Sequence, residues 1–307
     1  MTAHTLLIPQ AISALESVIL GKPQQVRLAL ATVLAGGHLL LEDVPGVGKT
    51  TLSHALAQVL GLSFCRVQFT ADMMPADLLG GAMFRPDTHS FSVVKGPIFT
   101  QVLLADELNR ASAKAQSALL EAMEERQVSL DGETFALPDP FLVIATQNPL
   151  SMAGTHPLPE SQLDRFLLSM RLGYPSAEAE RALLRGDGTQ RHWRDITAVI
   201  EGMQLRALQA HVLTVHLSDA LLDYVQRLII ATRQLSASVL GLSPRAAVGL
   251  VRCAQAWALM DQRDYVQPDD IQAVFVPVCQ HRLYSQEGVS GQMLAEQVLA
   301  STPLHAR

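Results

Sequence analysis

The feature that most constrains this chain is LEDVPGVGKTTL, residues 41–52. The all-leucine run Leu39 to Leu41 stops at a glycine-rich turn ending in Lys49 and Thr50, and a helical pattern follows at once. An apolar run without alternation suits a strand buried on both faces, which calls for a parallel sheet with helices above and below. The turn departs from the strict G-x-x-x-x-G-K-[ST] spacing, because Asp43 stands at the first glycine position. The remainder fits, with Pro45, Gly46, Val47, Gly48, Lys49, Thr50 and Thr51 between strand and helix. Gly46 and Gly48 let backbone N–H groups approach phosphate oxygens, and the helix start adds its positive dipole end. Lys49 is then placed for the β and γ phosphates of ATP, and the Thr50 hydroxyl for Mg²⁺.

The rest of the first half supports such a sheet. Apolar runs at Cys65–Phe69, Val102–Ala105, Phe141–Thr146 and Phe166–Leu172 predict four more strands. Helical patterns at 10–20, 23–35, Thr50–Leu60 and Lys114–Arg126 fall between them. Two hairpins interrupt the alternation. AMFRPDTHSFSVV turns at Pro86-Asp87, and QVSLDGETFAL turns at Asp131-Gly132, a type I′ signal. Whether Phe84, Phe91, Val93 and Leu130 on these hairpins reach a client or pack on the sheet is left open by the pattern. After Pro175 the strand signals stop. SAEAERALL begins a helix capped by Ser176, and helical patterns continue through Leu205–Thr214, Ser218–Gln234, Pro244–Met260 and Pro268–His281. The expected organisation is an α/β domain over 1–175 followed by a smaller all-α lid over 176–307.

Composition narrows the function. A net charge of -6 and the lack of Lys/Arg runs argue against nucleic acid as a partner. Cys65, Cys253 and Cys279 are widely spaced without a CxxC pair, which suits free thiols in a reducing cytoplasm. No apolar stretch approaches 18 residues, so neither a membrane span nor export is expected.

Three further motifs bear on the loop. VLLADE puts Asp106 and Glu107 at the end of an apolar strand. A carboxylate there suits Mg²⁺, and hydrolysis needs a second one to orient and polarise water. FLVIATQNP puts Asn148 after another strand, where its side chain has either a γ-phosphate or simple turn chemistry to serve. Arg165, in LPESQLDRF, and Arg245, in GLSPRA, are cationic forks of the kind that stabilise a transferring phosphoryl group. The plainer reading of Arg165 is a surface ion pair with Asp164 or Glu160, and of Arg245 an exposed arginine at a helix start.

Together these stretches resemble the AAA+ ATPases, and within them the MoxR family. LLLEDVPGVGKTTL, RVQFTADMMPADLLG, GPIFTQVLLADELNRASAKAQSALLEAMEERQVSLDG, IATQNP, HPLPESQLDRF and GLSPRA carry the likeness across residues 39–247. The resemblance implies that Gly46 to Thr51 form the nucleotide loop and that Asp106 and Glu107 bind Mg²⁺ and activate water. It makes Asn148 the first sensor, Arg165 an arginine finger acting on a neighbouring subunit, and Arg245 the second sensor. It also implies hairpins facing the pore of a hexameric ring, a protein client, and a partner with a von Willebrand factor A domain. One departure is Leu150–Ala153, where the family commonly carries an acidic stretch. Two other functional classes stay open on the residues alone: a nucleic-acid-directed motor or loader, and a nucleotide switch that does not hydrolyse.

Overall fold

A computed structural model describes residues 3–87, 89–148, 156–185, 193–235, 240–285 and 288–304. Two helices lead, α1 (Leu7–Glu16) and α2 (Pro23–Leu34). Strand β1 (Leu39–Glu42), helix α3 (Lys49–Val59) and strand β2 (Phe64–Gln68) follow. Then come α4 (Pro75–Leu79), the hairpin β3 (Gly80–Arg85) and β4 (Ser90–Lys95), and strand β5 (Val102–Asp106). Helix α5 (Ala113–Glu125), a second hairpin β6 (Gln127–Leu130) and β7 (Glu133–Ala136), strand β8 (Leu142–Gln147), α6 (Glu160–Leu163) and strand β9 (Leu168–Met170) complete the mixed part. From there the described elements are helical: α7 (Ala177–Arg185), α8 (Gly202–Val212), α9 (Asp219–Gln234), α10 (Pro244–Met260), α11 (Pro268–Cys279) and α12 (Gly291–Ser301).

The five expected strands form one parallel sheet in the order β2-β5-β8-β1-β9. Its strands divide their side chains strictly by period two. Leu39, Leu41, Val102, Leu104, Leu142 and Ile144 face a core shared with α1, α2, α3 and the later helices. Leu40, Leu103, Ala105, Val143 and Ala145 face a second core under α5 and the hairpins. Burial on both faces is why these strands read as continuous apolar runs. At about 25 cal/mol per Å² of apolar surface, each fully buried leucine contributes roughly 2 kcal/mol relative to exposure.

Several sequence expectations shift. The first helix starts at Leu7 rather than 10 and ends at Glu16 rather than 20. Pro9 sits in its first turn, where the missing N–H has no intrahelical partner to lose. The last strand covers only Leu168–Met170. Helices α4 and α12 answer to no element read from the sequence, although Ser290 caps α12 through Met293 N at 3.2 Å. Ser176 caps α7 as expected, accepting from Ala179 N at 3.3 Å. Asp131 and Gly132 take φ of +50° and +87°, as a type I′ turn requires. The hairpin side chains divide: Leu130 is buried and Val93 packs against the second core, whereas Phe84 and Phe91 are exposed and meet edge-on at 5.4 Å. The departure at Leu150–Ala153 lies outside the described residues.

Candidate active site

Parallel strands present their C-terminal ends on one edge, and connections leave a crevice there. The register Gln68↔Asp106 and Leu41↔Thr146 aligns those ends, so the segments after β1, β5 and β8 open onto common ground. They line a cleft of about 380 Å³ with Pro45, Gly46, Gly48, Lys49, Thr50, Thr51, Asp106, Glu107 and Asn148 on its walls.

The loop is shaped for an anion. Gly46 and Gly48 have φ of +86° and +98°, conformations a side chain would strain, and a Cβ at either would point into open space. Gly48 is the N-cap of α3 and offers no side chain to the first N–H groups of the helix. Those groups therefore point their partial positive charge into the cleft. Lys49 Nζ donates to the loop's own carbonyls, Asp43 O at 2.5 Å and Val44 O at 3.2 Å. Burial pushes its ammonium below the ordinary lysine range, against the pull of Asp43, Asp106 and Glu107. The cleft thus holds a partly desolvated cation beside a row of helix N–H donors, a donor set that fits a polyphosphate. Asp43 faces away from this task. Its buried carboxylate accepts from Val44 N at 2.9 Å and Gly173 N at 2.6 Å, which ties the loop's start to the exit of β9. Val47 lines an adjoining slot of about 240 Å³, which shares Gly46, Gly48 and Thr51 with the cleft and is walled by Val18, Ile19, Leu172, Pro175 and Ala179.

Across the cleft stands an acidic pair. Asp106 is 8% exposed and Glu107 follows it in left-handed backbone, φ +56°. Thr146, 1% exposed, joins them: its hydroxyl donates to Asp106 Oδ1 at 2.6 Å and accepts from Glu107 N at 2.9 Å. Arg66 Nη2 lies 2.5 Å from Asp106 Oδ2, and Gln68 donates to Glu107 Oε2 at 3.1 Å. Arg110 Nε also meets Glu107 Oε2, at 2.9 Å. The Thr50 hydroxyl and the Asp106 carboxylate, which a cation would share with Thr146 and Arg66, are among the oxygen donors on the cleft walls, and oxygen ligands suit Mg²⁺. Thr146, Arg66 and Gln68 were missed in the sequence. The signal for Thr146 was its register one residue before Gln147-Asn148 at the end of an apolar strand; Arg66 and Gln68 open the stretch RVQFTADMMPADLLG, which carries the family likeness but no chemical pattern of its own.

The two arginines do not join the cleft. Arg165 Nη1 is 2.7 Å from Glu124 Oε2 and also donates to Leu120 O, both on α5. Arg245 Nη1 reaches the other oxygen of the same carboxylate, Glu124 Oε1, at 3.1 Å. The surface-pair alternative for Arg165 therefore named the wrong partners, because Asp164 is taken by Arg282 at 2.7 Å and by Ser243 Oγ at 2.9 Å. Among the described residues no group of three or more His, Cys, Asp or Glu side chains forms a metal site, and no helix is long and apolar enough to cross a membrane.

Comparisons with known proteins agree with this geometry. Residues 38–168 match the family model described as the ATPase family associated with various cellular activities (AAA), and residues 230–300 match the AAA lid domain. The chain is similar to the chaperone MoxR1 of Mycobacterium tuberculosis, 43% identical over 91% of this chain and 76% of that one. It is 42% identical to the uncharacterised protein YeaC of Bacillus subtilis, over 96% and 94% of the two chains. It is 33% identical to the protein MoxR of Paracoccus denitrificans, over 89% and 87%. The solved structure of a candidate ATPase from Cytophaga hutchinsonii superposes with a TM-score of 0.90 at 35% identity, covering 99% of this chain and 96% of that one. With two family models matched in chain order and relatives 33–43% identical over most of its length, the chain belongs to the MoxR family of AAA+ ATPases.

Proposed function

We propose that this protein hydrolyses ATP in the cleft between the glycine loop and the acidic pair, and uses the turnover to remodel or assemble a client protein complex. The observation that carries the reading is the meeting of Lys49, Thr50, Asp106, Glu107 and Asn148 on the walls of one cleft. In this assignment Gly46 to Thr51 cradle the triphosphate through backbone N–H groups, and Lys49 leaves its two carbonyl partners for the β and γ phosphates. The apolar slot beside Val47 takes the base. Thr50 and Asp106 hold Mg²⁺, which neutralises charge on the phosphates. Glu107 polarises the attacking water, with Asn148 in reach of the same γ-phosphate region, while Thr146 keeps both carboxylates aimed. Arg165 serves a neighbouring subunit's nucleotide, and the working form is a hexameric ring.

The division of the chain into an α/β domain, 1–175, and an α-helical lid, 176–307, belongs to the same reading, supported by the end of the sheet at Met170 and the all-helical elements from Ala177. The exposed Phe84–Phe91 pair on the first hairpin is the candidate client contact, and a partner with a von Willebrand factor A domain is the expected co-worker. The chaperone role rests on the relatives' names.

The test is a pair of variants. Lys49→Ala is expected to lose ATP binding while keeping its fold, since the hydrogen bonds of Lys49 Nζ go to two carbonyls of its own loop. Glu107→Gln is expected to bind ATP and Mg²⁺ but turn over at least about 10²-fold more slowly, the usual worth of a positioned base. Normal turnover in Glu107→Gln refutes the assignment. Used as a trap in the native cell, that variant should capture protein clients, and DNA should leave the wild-type rate unchanged.

A further inference from the structure

Arg165 and Arg245 come from distant stretches of the chain, yet both end on the two oxygens of Glu124. Their backbones are also tied. Asp164, next to Arg165, accepts from Ser243, the N-cap of the helix that carries Arg245, and from Arg282. Arg282 further donates to the carbonyls of Phe166 and Leu167. The two guanidinium groups are thus presented side by side by a rigid frame, on the rim of a cleft of about 510 Å³. This cleft is cationic: Arg126, Arg165, Arg245, Arg252 and Arg282 line it against two carboxylates, Glu124 and Asp164. Glu124 lies in the last turn of α5, just before the C-cap Arg126, and both of its carboxylate oxygens are taken by the two arginines.

We propose that Glu124 is the resting counter-ion of a paired arginine site, Arg165 with Arg245, which the phosphates of ATP bound to a second copy of this chain displace. The inference rests on the trans role given above to Arg165 and extends it by placing Arg245 at the same foreign phosphates. The side chains of Arg165, Arg245 and Glu124 are 27%, 48% and 41% exposed, so each ion pair is weak and easily exchanged. A triphosphate with several formal charges outcompetes one carboxylate for two guanidinium groups. Glu124 thereby sets a small threshold that a nucleotide-loaded neighbour overcomes.

The experiment measures the protein concentration at which half the chains are assembled, by sedimentation velocity, with Mg²⁺ and a non-hydrolysable ATP analogue or with no nucleotide. Glu124→Gln should lower the midpoint by about three- to tenfold with the analogue at low ionic strength, the worth of releasing two exposed pairs. It should leave the nucleotide-free midpoint unchanged, and added salt should shrink the shift. In a chain already carrying Arg165→Ala and Arg245→Ala, Glu124→Gln should do nothing. Glu124→Ala serves as a second variant expected to behave like Glu124→Gln. The proposal is overturned if the midpoint rises or stays put, if the shift occurs without nucleotide, or if it persists in the arginine-free chain. A wild-type chain that never assembles with the analogue overturns the trans reading of Arg165 as well; a normal wild type with a flat Glu124 arm overturns this proposal alone.

Discussion

Replacing Arg165 by alanine separates a local role from a shared active site by magnitude. Locally, Arg165 makes one partly exposed ion pair to Glu124 and one hydrogen bond to Leu120 O. Such a pair is worth about 0–1 kcal/mol and the hydrogen bond about 1 kcal/mol, so a purely structural Arg165 costs at most about 2 kcal/mol of stability. Turnover per folded chain would then barely change. As a finger acting on a neighbour's transition state, the same residue is worth about 10³ to 10⁵ in rate, or roughly 4–7 kcal/mol of barrier. The expected outcome is a variant that folds, binds ATP, assembles and loses most of its turnover. Mixing it with Glu107→Gln subunits should restore part of the rate, because some interfaces then join an intact Glu107 from one chain to an intact Arg165 from the next. The assay is ATPase rate against mixing ratio, with each variant alone as baseline. If subunit exchange is demonstrated and no mixture exceeds the better variant alone, Arg165 does not act in trans.

Three further outcomes follow from the geometry. Thr146→Val removes the hydroxyl that holds Asp106 and leaves Glu107 N without its acceptor, so the Mg²⁺ concentration needed for turnover should rise about 10- to 100-fold; an unchanged Mg²⁺ titration refutes the bridging role. Asp43→Ala leaves Val44 N and Gly173 N without a carboxylate, and should cost roughly 1–3 kcal/mol in urea unfolding while ATP affinity per folded chain falls less than in Lys49→Ala. His38, which accepts from Val143 N at 2.9 Å, is held neutral by burial and by the Arg126 charge, its pKa lowered from 6.5 to about 3. The unfolded chain binds that proton below about pH 6.5 and the folded chain does not until near 3, so stability should fall as pH drops through that window, by up to about 1.4 kcal/mol per pH unit. Buried His281 is shifted in the same direction; His38→Gln should flatten the unfolding profile between pH 6 and 5, and an equally steep profile in that variant would refute the assignment.

Much of the site was legible in the chain because its parts are contiguous. Gly46, Gly48, Lys49 and Thr50 announce themselves by spacing, since a turn that wraps phosphate is made from consecutive backbone groups. Asp106 and Glu107 are equally local, two acids at the end of an apolar run. The strands were readable for a similar reason: burial on both faces of the sheet leaves no polar alternation to blur them. Helices α4 and α12 were less so, the first being a single turn and the second lying past the last pattern followed.

By itself, then, the sequence determined the parallel sheet, the glycine loop, the acidic pair and the helical character of the second half, because each is encoded by neighbours along the chain. Only the tertiary structure decided which strands lie side by side, and with that the convergence of Arg66, Gln68 and Thr146 on the acidic pair. It also decided that Asp43 braces the loop, and that Arg165 and Arg245 share Glu124 instead of entering the cleft beside Lys49. The physical reason is common to these cases. A side chain's partner is set by distance in space, and residues as far apart as Asp43 and Gly173, or Glu124 and Arg245, meet only after strand order and helix packing have placed them.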